Sequence, residues 1–329
     1  MGTGPSAGGG CMTGLKMIGI GRALPSRCVT NDDLSKIVDT NDAWISERTG
    51  IRRRYYCADG ESTNTLIAAA AREALECARL QPEQIDCVIV ATVSSNYASP
   101  SVACLLQAEL GIRENIPVMD INAACAGFLF GIATAAGLLQ ICGGRHALVV
   151  GGEQLSRLMD MTDRSTCVLF GDGAGAAVFE RDESADLCVD LGSRGGMDIQ
   201  IEGVGRSDPS YIKMNGNAVF RFAVGVIPDC LNAVMDKAGL TMDDIDWVVC
   251  HQANARIIDH CAKKMGAPEK FYKNIDRYGN TSAASIPLAL YDMYREGLLK
   301  DGQKVLAVGF GAGLTWAGAL LNIHMGVSE

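Results

Sequence analysis

Histidine is scarce in this chain, with 4 residues in 329. No Cys-x-x-Cys pair occurs and no cysteines and histidines stand at zinc-ligand spacing, so a structural zinc module is excluded. Positive charge is also in short supply: 29 Lys plus Arg face 38 Asp plus Glu, a formal charge of −9. A general nucleic-acid binder needs a basic surface to neutralise phosphates, and this balance argues against one while leaving room for a local basic patch. The N-terminus lacks the charged region, apolar core and cleavage site of a secretory signal, so a cytoplasmic protein is expected. What is plentiful is small and apolar: 48% hydrophobic residues, 38 glycines and 13 cysteines. That is the composition of a globular protein, and in a reducing compartment most of those thiols act as small buried hydrophobes. The length suits two domains or one large duplicated one, able to bury roughly three quarters of its unfolded surface without disulfide or metal.

Long uncharged runs are rare, and one needs explaining. Ile121 to Gly144 carries no charge, long enough to nominate a membrane helix. It consists mostly of Ala, Gly and Cys with Asn122, Thr134 and Gln140, which is weakly apolar for lipid, and strand-like segments flank it. A helix buried on all sides within a soluble core is the expectation, with no membrane partner.

Residues 1–14 read as a disordered leader or an added remnant, Gly- and Ser-rich and without periodicity. Beyond it, strand-like and helix-like segments alternate. Strands are expected at Lys16–Gly21, Cys87–Val93, Val118–Ile121, Ala147–Gly151 and Ala174–Phe179; helices at Asn64–Leu80, Ser101–Leu110 and Ala126–Ile141. The alternation implies α/β layers around a mixed sheet. The second half then echoes the first. Leu80–Val90 aligns with Leu240–Cys250 and His146–Gly152 with Lys304–Phe310, both about 160 residues apart and in the same order. A duplicated unit follows, its halves 15–180 and 181–329, with equivalent loops converging at a pseudo-twofold axis.

Among the cysteines, Cys125 lies between a short strand and the uncharged helix, in Asn122-Ala-Ala-Cys-Ala-Gly-Phe128. A sulfur at a helix N-terminus is expected to be held as thiolate by unpaired N–H groups and the helix dipole, and the small neighbours leave room for a substrate. His251 ends the apolar strand Trp247–Cys250, where α/β folds place their sites. Asn280, in Tyr278-Gly-Asn-Thr-Ser-Ala-Ala-Ser285, again stands between strand and helix, a place where asparagine is most often an N-cap. The runs Gly171–Gly175 and Phe310–Trp316 lead into strands and so fail as phosphate loops.

Six segments taken in order resemble the thiolase-fold condensing enzymes, most closely the β-ketoacyl-[acyl-carrier-protein] synthase III family: Asp39–Ile51, Ala124–Phe128, Asp163-Arg164, Phe170–Gly175, His251–Arg256 and Tyr278–Ser285. The resemblance runs from about Lys16 to the C-terminus. It implies a duplicated αβαβα layered fold and a decarboxylative condensation of an acyl-CoA primer with malonyl-[acyl-carrier protein], initiating fatty-acid synthesis through an acyl-cysteine. The implied triad is Cys125, His251 and Asn280, with an oxyanion hole from the backbone of Cys125 and Ala312. It further implies Trp44 and Arg164 around the adenine of coenzyme A, Thr40 and Arg48 at the nucleotide end, and Asn217 and Asn254 along pantetheine. Phe310 occupies the last glycine-rich loop, where a thiolase would carry a second cysteine. No cofactor or metal is implied, since acyl-CoA is a substrate, and a homodimer is.

The helix after His251 carries an independent signal. Arg256, His260, Lys263 and Lys264 fall on one face, with Ile257, Ile258, Cys261, Ala262 and Met265 on the other. With Arg221 and Gln252, that basic stripe is the expected dock for an acidic carrier protein. Ser99 stands where many acetyl-using relatives place a phenylalanine across the dimer interface, which implies tolerance of longer or branched primers. Two other readings remain: a secondary-metabolite acyltransferase with a different acceptor, and, remotely, a papain-like hydrolase sharing the order Cys, His, Asn.

Overall fold

The computed structural model describes residues 13–203 and 210–325. Among the described residues, ten strands form the main sheet system: β1 (Thr13–Ala23), β2 (Cys87–Ala91), β3 (Val118–Ile121), β4 (His146–Glu153), β5 (Gly173–Asp186), β6 (Val189–Ser193), β7 (Trp247–Cys250), β8 (Phe271–Tyr272), β9 (Lys304–Gly311) and β10 (Thr315–Ile323). The longer helices among them are α1 (Asp42–Thr49), α2 (Thr63–Ala78), α3 (Val102–Leu110), α4 (Gly127–Cys142), α5 (Gly216–Ala238), α6 (Ala255–Lys264) and α7 (Ser285–Arg295).

Strand pairing shows the duplication directly. The first five strands run in the order β3-β2-β4-β5-β1; the second five repeat it as β8-β7-β9-β10-β6. In each half the first three are parallel and the last two junctions antiparallel. The two sets join along β1 and β10, where Lys16 and Met17 pair with Asn322 and Ile323. Even local bonds repeat: the Asp86 amide donates to the His146 carbonyl at 2.8 Å, and the Asp246 amide to the Lys304 carbonyl at 3.0 Å. Two details differ from the sequence reading. Thr13 and Gly14 belong to β1 because they pair with Asp186 and Asp182, so a leader can reach only residue 12, and residues 1–12 lie outside the described residues. Strand β5 also continues through residue 180, so a division there would cut a strand.

Three apolar clusters define the layers. The central one joins α4 and α7 to both sheets, gathering Phe128, Leu129 and Ile132 of α4 and Ile286 and Leu290 of α7 with Ile89, Val149, Val305 and Ala307 of the strands. Helices α2 and α3 cover the outer face of the first sheet, α5 and α6 that of the second. Five layers, αβαβα, result. Helix α4 is therefore the uncharged core helix expected, with Phe128, Leu129, Ile132, Ala135 and Leu139 buried. A second helix, α5, is also long and apolar enough to cross a membrane. It instead lays Val219, Ala223, Ile227, Leu231 and Val234 on the sheet and leaves Arg221 and Asp229 exposed.

Candidate active site

The layered duplication brings four chain segments to one place. Cys125 lies in a tight turn, Ala124–Ala126, between β3 and α4, and Ala124 takes a left-handed φ of 47° to make it. The end of β9 lies flush against this turn: a Cβ at Gly311 would stand 2.6 Å from the Cys125 nitrogen, and one at Gly309 would stand 3.1 Å from the Cys125 carbonyl oxygen. Only glycine admits so close an approach. Thr315 Oγ1 locks the last loop to the nucleophile turn by donating to the Ala123 carbonyl at 2.9 Å, and it also donates to that of half-buried Ala312 at 3.1 Å.

His251 follows β7, fixed by its own amide donating to the Val308 carbonyl at 2.7 Å. Its ring is buried and meets Phe310 edge-on, 5.3 Å between centroids. Nδ1 lies 2.6 Å from Ser285 Oγ. Burial alone drives the imidazole down to about 3, so the ring is neutral at physiological pH. Asn280 bridges to Phe170: its amide donates to the Leu169 carbonyl at 2.8 Å, and its carbonyl accepts from Gly171 at 2.9 Å. Its Oδ1 accepts the Ser282 amide at 2.9 Å, so the side chain caps the turn Ser282–Ala284 before α7, the equivalent of the Cys125 turn before α4.

Desolvation pushes the Cys125 thiol up to about 12, against the expected thiolate, and helix α4 begins only at Gly127, two residues beyond the sulfur.

Around this centre the other expected residues divide. Trp44, half-buried on α1, has the guanidinium carbons of both Arg48 and Arg164 at 4.9 Å from its ring centroid. Arg164 is held there by donating to the Asp39 carbonyl at 2.8 Å, and beside it Thr40 Oγ1 is buried with no hydrogen-bond partner. Asn217 is exposed on the first turn of α5. Asn254 caps α6, Oδ1 accepting from Arg256 at 2.9 Å and Nδ2 donating to the Arg48 carbonyl at 3.1 Å, so both ends of its amide are engaged. Ser99 is exposed. Gln252 is not a surface residue, which corrects its assignment to the docking face. It is buried; Nε2 donates to the Cys250 carbonyl at 2.8 Å and Oε1 accepts from the Asn274 amide at 3.1 Å. The rest of the stripe is as expected, with Arg256, His260, Lys263 and Lys264 exposed and Ile257, Ile258, Cys261 and Ala262 buried. The Phe220 and His260 rings meet at 6.5 Å, which sets exposed Arg221 beside that face.

Three residues of the site escaped the sequence: Ser282, Ser285 and Glu153. Glu153 ends β4 and is fully buried, accepting from Thr92 Oγ1 and the Val93 amide, both at 3.1 Å. A carboxylate closing an otherwise apolar strand was the available signal.

A duplicated five-layer fold with a cysteine, a histidine and an asparagine on converging strand–helix turns defines a thiolase-fold acyltransferase. Family models described as 3-oxoacyl-[acyl-carrier-protein] synthase III and its C-terminal region match residues 119–195 and 235–323. The β-ketoacyl-[acyl-carrier-protein] synthase III of Clostridium acetobutylicum is 46% identical over 324 residues, covering 94% of this chain and 99% of that one. Among solved structures, the Aquifex aeolicus 3-oxoacyl-[acyl-carrier-protein] synthase III superposes with a TM-score of 0.88 at 41% identity, covering 94% and 100% of the two chains. The priming β-ketosynthase of the R1128 polyketide pathway gives 0.89 at 35% identity, covering 97% and 99%. The chain belongs to the β-ketoacyl-[acyl-carrier-protein] synthase III family.

Proposed function

We propose that this enzyme condenses an acyl-CoA primer with malonyl-[acyl-carrier protein], releasing coenzyme A and carbon dioxide and giving the 3-oxoacyl carrier protein that starts fatty-acid synthesis. Cys125 attacks the primer thioester and carries the acyl group, its carbonyl oxygen resting on the backbone N–H groups of Cys125 and Ala312. Malonyl thioester then meets two neutral donors. Asn280 spends Oδ1 on Ser282, which leaves the NH₂ end to donate. His251 donates through Nε2 when Ser285 Oγ, which also accepts the Gln252 amide at 3.3 Å, gives its own proton to Nδ1. Both donors stabilise the enolate formed as carbon dioxide leaves, and its carbon attacks the acyl-cysteine. The chemistry uses thiol, imidazole and amide, and requires no cofactor or metal.

The neutrality of His251 carries this reading. A charged imidazolium or a carboxylate base would suit other reactions, whereas a fixed neutral donor suits a developing enolate. Trp44 with Arg48 and Arg164 supports a nucleotide site, where an adenine would part the Arg164–Trp44 stack, and Thr40, Asn217, Asn254 and Phe310 are the residues assigned to the rest of coenzyme A. Exposed Ser99 supports a pocket completed by a second subunit in a cytoplasmic homodimer, and its small side chain supports long or branched primers. The test is carbon dioxide release from malonyl carrier protein across acetyl-, hexanoyl-, octanoyl- and branched acyl-CoA. Release coupled to primer consumption is expected, and strong preference for acetyl-CoA would overturn the pocket assignment. Likeness to a polyketide priming synthase favours one second reading, the same chemistry with a secondary-metabolite acceptor, which failure with malonyl carrier protein would select.

A further inference from the structure

Against the turn that carries Asn280 lies a buried cation that the reaction as described does not use. Arg54 stands in the short strand Arg53–Tyr56 and is fully buried. Its Nη1 donates to Asn31 Oδ1 and its Nη2 to the Val168 carbonyl, both at 2.7 Å, while Nε has no partner. Among the described residues no Asp or Glu pairs with it. A guanidinium held without a counter-charge costs stability, and here each of its hydrogen bonds goes to an element that leads into the site.

The stem of Arg54 supports Asn280. Asn280 is tied into the chain by its bridge to Phe170, bonding the Leu169 carbonyl and the Gly171 amide. Gly171 and Gly279 flank that bridge, and both rest on the arginine: a Cβ at Gly171 would stand 3.0 Å from the Arg54 Cβ, and one at Gly279 3.4 Å from it. The strand around Arg54 is bonded to both sides of the bridge. The Asp172 amide donates to the Tyr55 carbonyl at 2.9 Å, and the Arg52 amide to the Asp276 carbonyl at 3.2 Å.

The two arms of the guanidinium reach elsewhere. Val168, which takes one arm, is the C-cap of the four-residue helix Arg164–Cys167. Asn31, which takes the other, is itself buried and donates through Nδ2 to Asp42 Oδ1 and to the Ile51 carbonyl, both at 2.8 Å. Asp42 is the first residue of α1 and Ile51 lies just past its end. Helix α1 carries Trp44 and Arg48, and the short helix carries Arg164, whose guanidinium lies over the Trp44 ring. One side chain therefore braces the bridge that holds Asn280 and grips both pieces of the proposed nucleotide site.

We infer that Arg54 is a positioning residue for Asn280, setting its amide in register with the Trp44–Arg164 nucleotide site. This rests on the reading above, in which Asn280 donates to the malonyl thioester. Arg54 touches no reacting atom and moves no proton. Its planar fork presents donors in two fixed directions at once, whereas a lysine ammonium keeps the charge but is a single point on a flexible stem. With one arm lost, the Gly171–Asn280 bridge loses its brace, and a displacement of about 1 Å at a reacting group costs on the order of 100-fold in rate.

The experiment is a double-mutant cycle. Carbon dioxide release from malonyl carrier protein is measured for the wild type, Arg54→Lys, Asn280→Ala and the double variant, with coenzyme A release from hexanoyl-CoA alongside. Arg54→Lys should lower kcat for decarboxylation about tenfold or more and leave KM for malonyl carrier protein within about twofold, the basic face of α6 being untouched. Acylation should slow much less, since Asn280 takes no part in it. In the Asn280→Ala background the same change should cost less than about twofold, because the group it positions is gone. A loss as large there as in the wild type, or equal losses in both half-reactions, overturns the inference and leaves Arg54 a support of the fold. If Arg54→Lys does not fold, Asn31→Ala decides: it keeps the guanidinium, removes the partner of one arm, and should show the same non-additivity. A wild-type rate of carbon dioxide release from Asn280→Ala sinks the donor reading and this inference together; a slow Asn280→Ala with additive losses sinks the positioning role alone.

Discussion

His251 Nδ1 lies 2.6 Å from Ser285 Oγ, an oxygen that also accepts the Gln252 backbone amide at 3.3 Å. A serine that donates its proton to Nδ1 leaves the other ring nitrogen as the N–H donor, the tautomer that the proposed decarboxylation needs. Ser285→Ala should cut malonyl decarboxylation at least ~10-fold while acylation of Cys125 keeps most of its rate. Carbon dioxide release and single-turnover coenzyme A release, measured in parallel, separate the two. Equal losses would show that Ser285 merely supports the fold.

Gly311 tests the geometry of the nucleophile. A Cβ there would stand 2.6 Å from the Cys125 nitrogen and 3.0 Å from its Cβ, so the turn must move. Gly311→Ala should lose about 1–3 kcal/mol of stability as an overpacked site and acylate at least ~100-fold more slowly, because a displacement of about 1 Å costs that much. Urea unfolding and coenzyme A release check it; wild-type acylation would mean the strand end yields without disturbing the sulfur.

How much of this was legible beforehand follows from where each residue lies in the chain. Cys125 could be found because strand, cysteine, small residues and helix are contiguous, and the repeat could be found because β2 and β7 carry the same local pattern. Ser282, Ser285 and Glu153 could not. Their partners lie more than 30 residues away, and a serine in a turn or a glutamate after a strand becomes informative only once burial removes water as the alternative partner. The thiolate expectation shows the same division: the dipole is local and readable, the desolvation that opposes it is tertiary. Gln252 was misassigned because a residue beside a basic face looks exposed in sequence, whereas the chain turns inward at the end of β7.

The basic face of α6 predicts a split between half-reactions. Arg256, Lys263 and Arg221 are all exposed, on a chain of net charge −9. Arg256→Glu with Lys263→Glu should raise KM for malonyl carrier protein about tenfold or more and weaken the salt dependence, leaving acyl transfer from coenzyme A unchanged. Equal loss in both half-reactions would remove the docking assignment.

Glu153 and His251 also leave opposite marks on stability. Native His251 titrates near 3 against 6.5 for the ordinary imidazole, so between those values the unfolded chain binds the extra proton and stability rises with pH. Native Glu153 titrates near 7 against 4.5, so between those values the folded chain holds the extra proton and stability falls as pH rises. From about pH 4.5 to 6.5 the two oppose each other. Glu153→Gln should therefore make stability rise more steeply with pH than in the wild type, by up to about 1.4 kcal/mol per pH unit, and His251→Asn should do the reverse. Urea unfolding across that range reads both slopes, and parallel curves would contradict the burial of either group as its neutral form.

The acyl-cysteine is the centre of the account, and one measurement reaches it most directly: intact and peptide-level mass after incubation with hexanoyl-CoA, for the wild type and Cys125→Ala. The account predicts one hexanoyl group on the wild type, confined to Cys125 and removed on adding malonyl carrier protein, and none on Cys125→Ala, which should still release some carbon dioxide from malonyl carrier protein through His251 and Asn280. An unmodified wild type that nonetheless condenses, or a hexanoyl group on another of the free thiols, would contradict it.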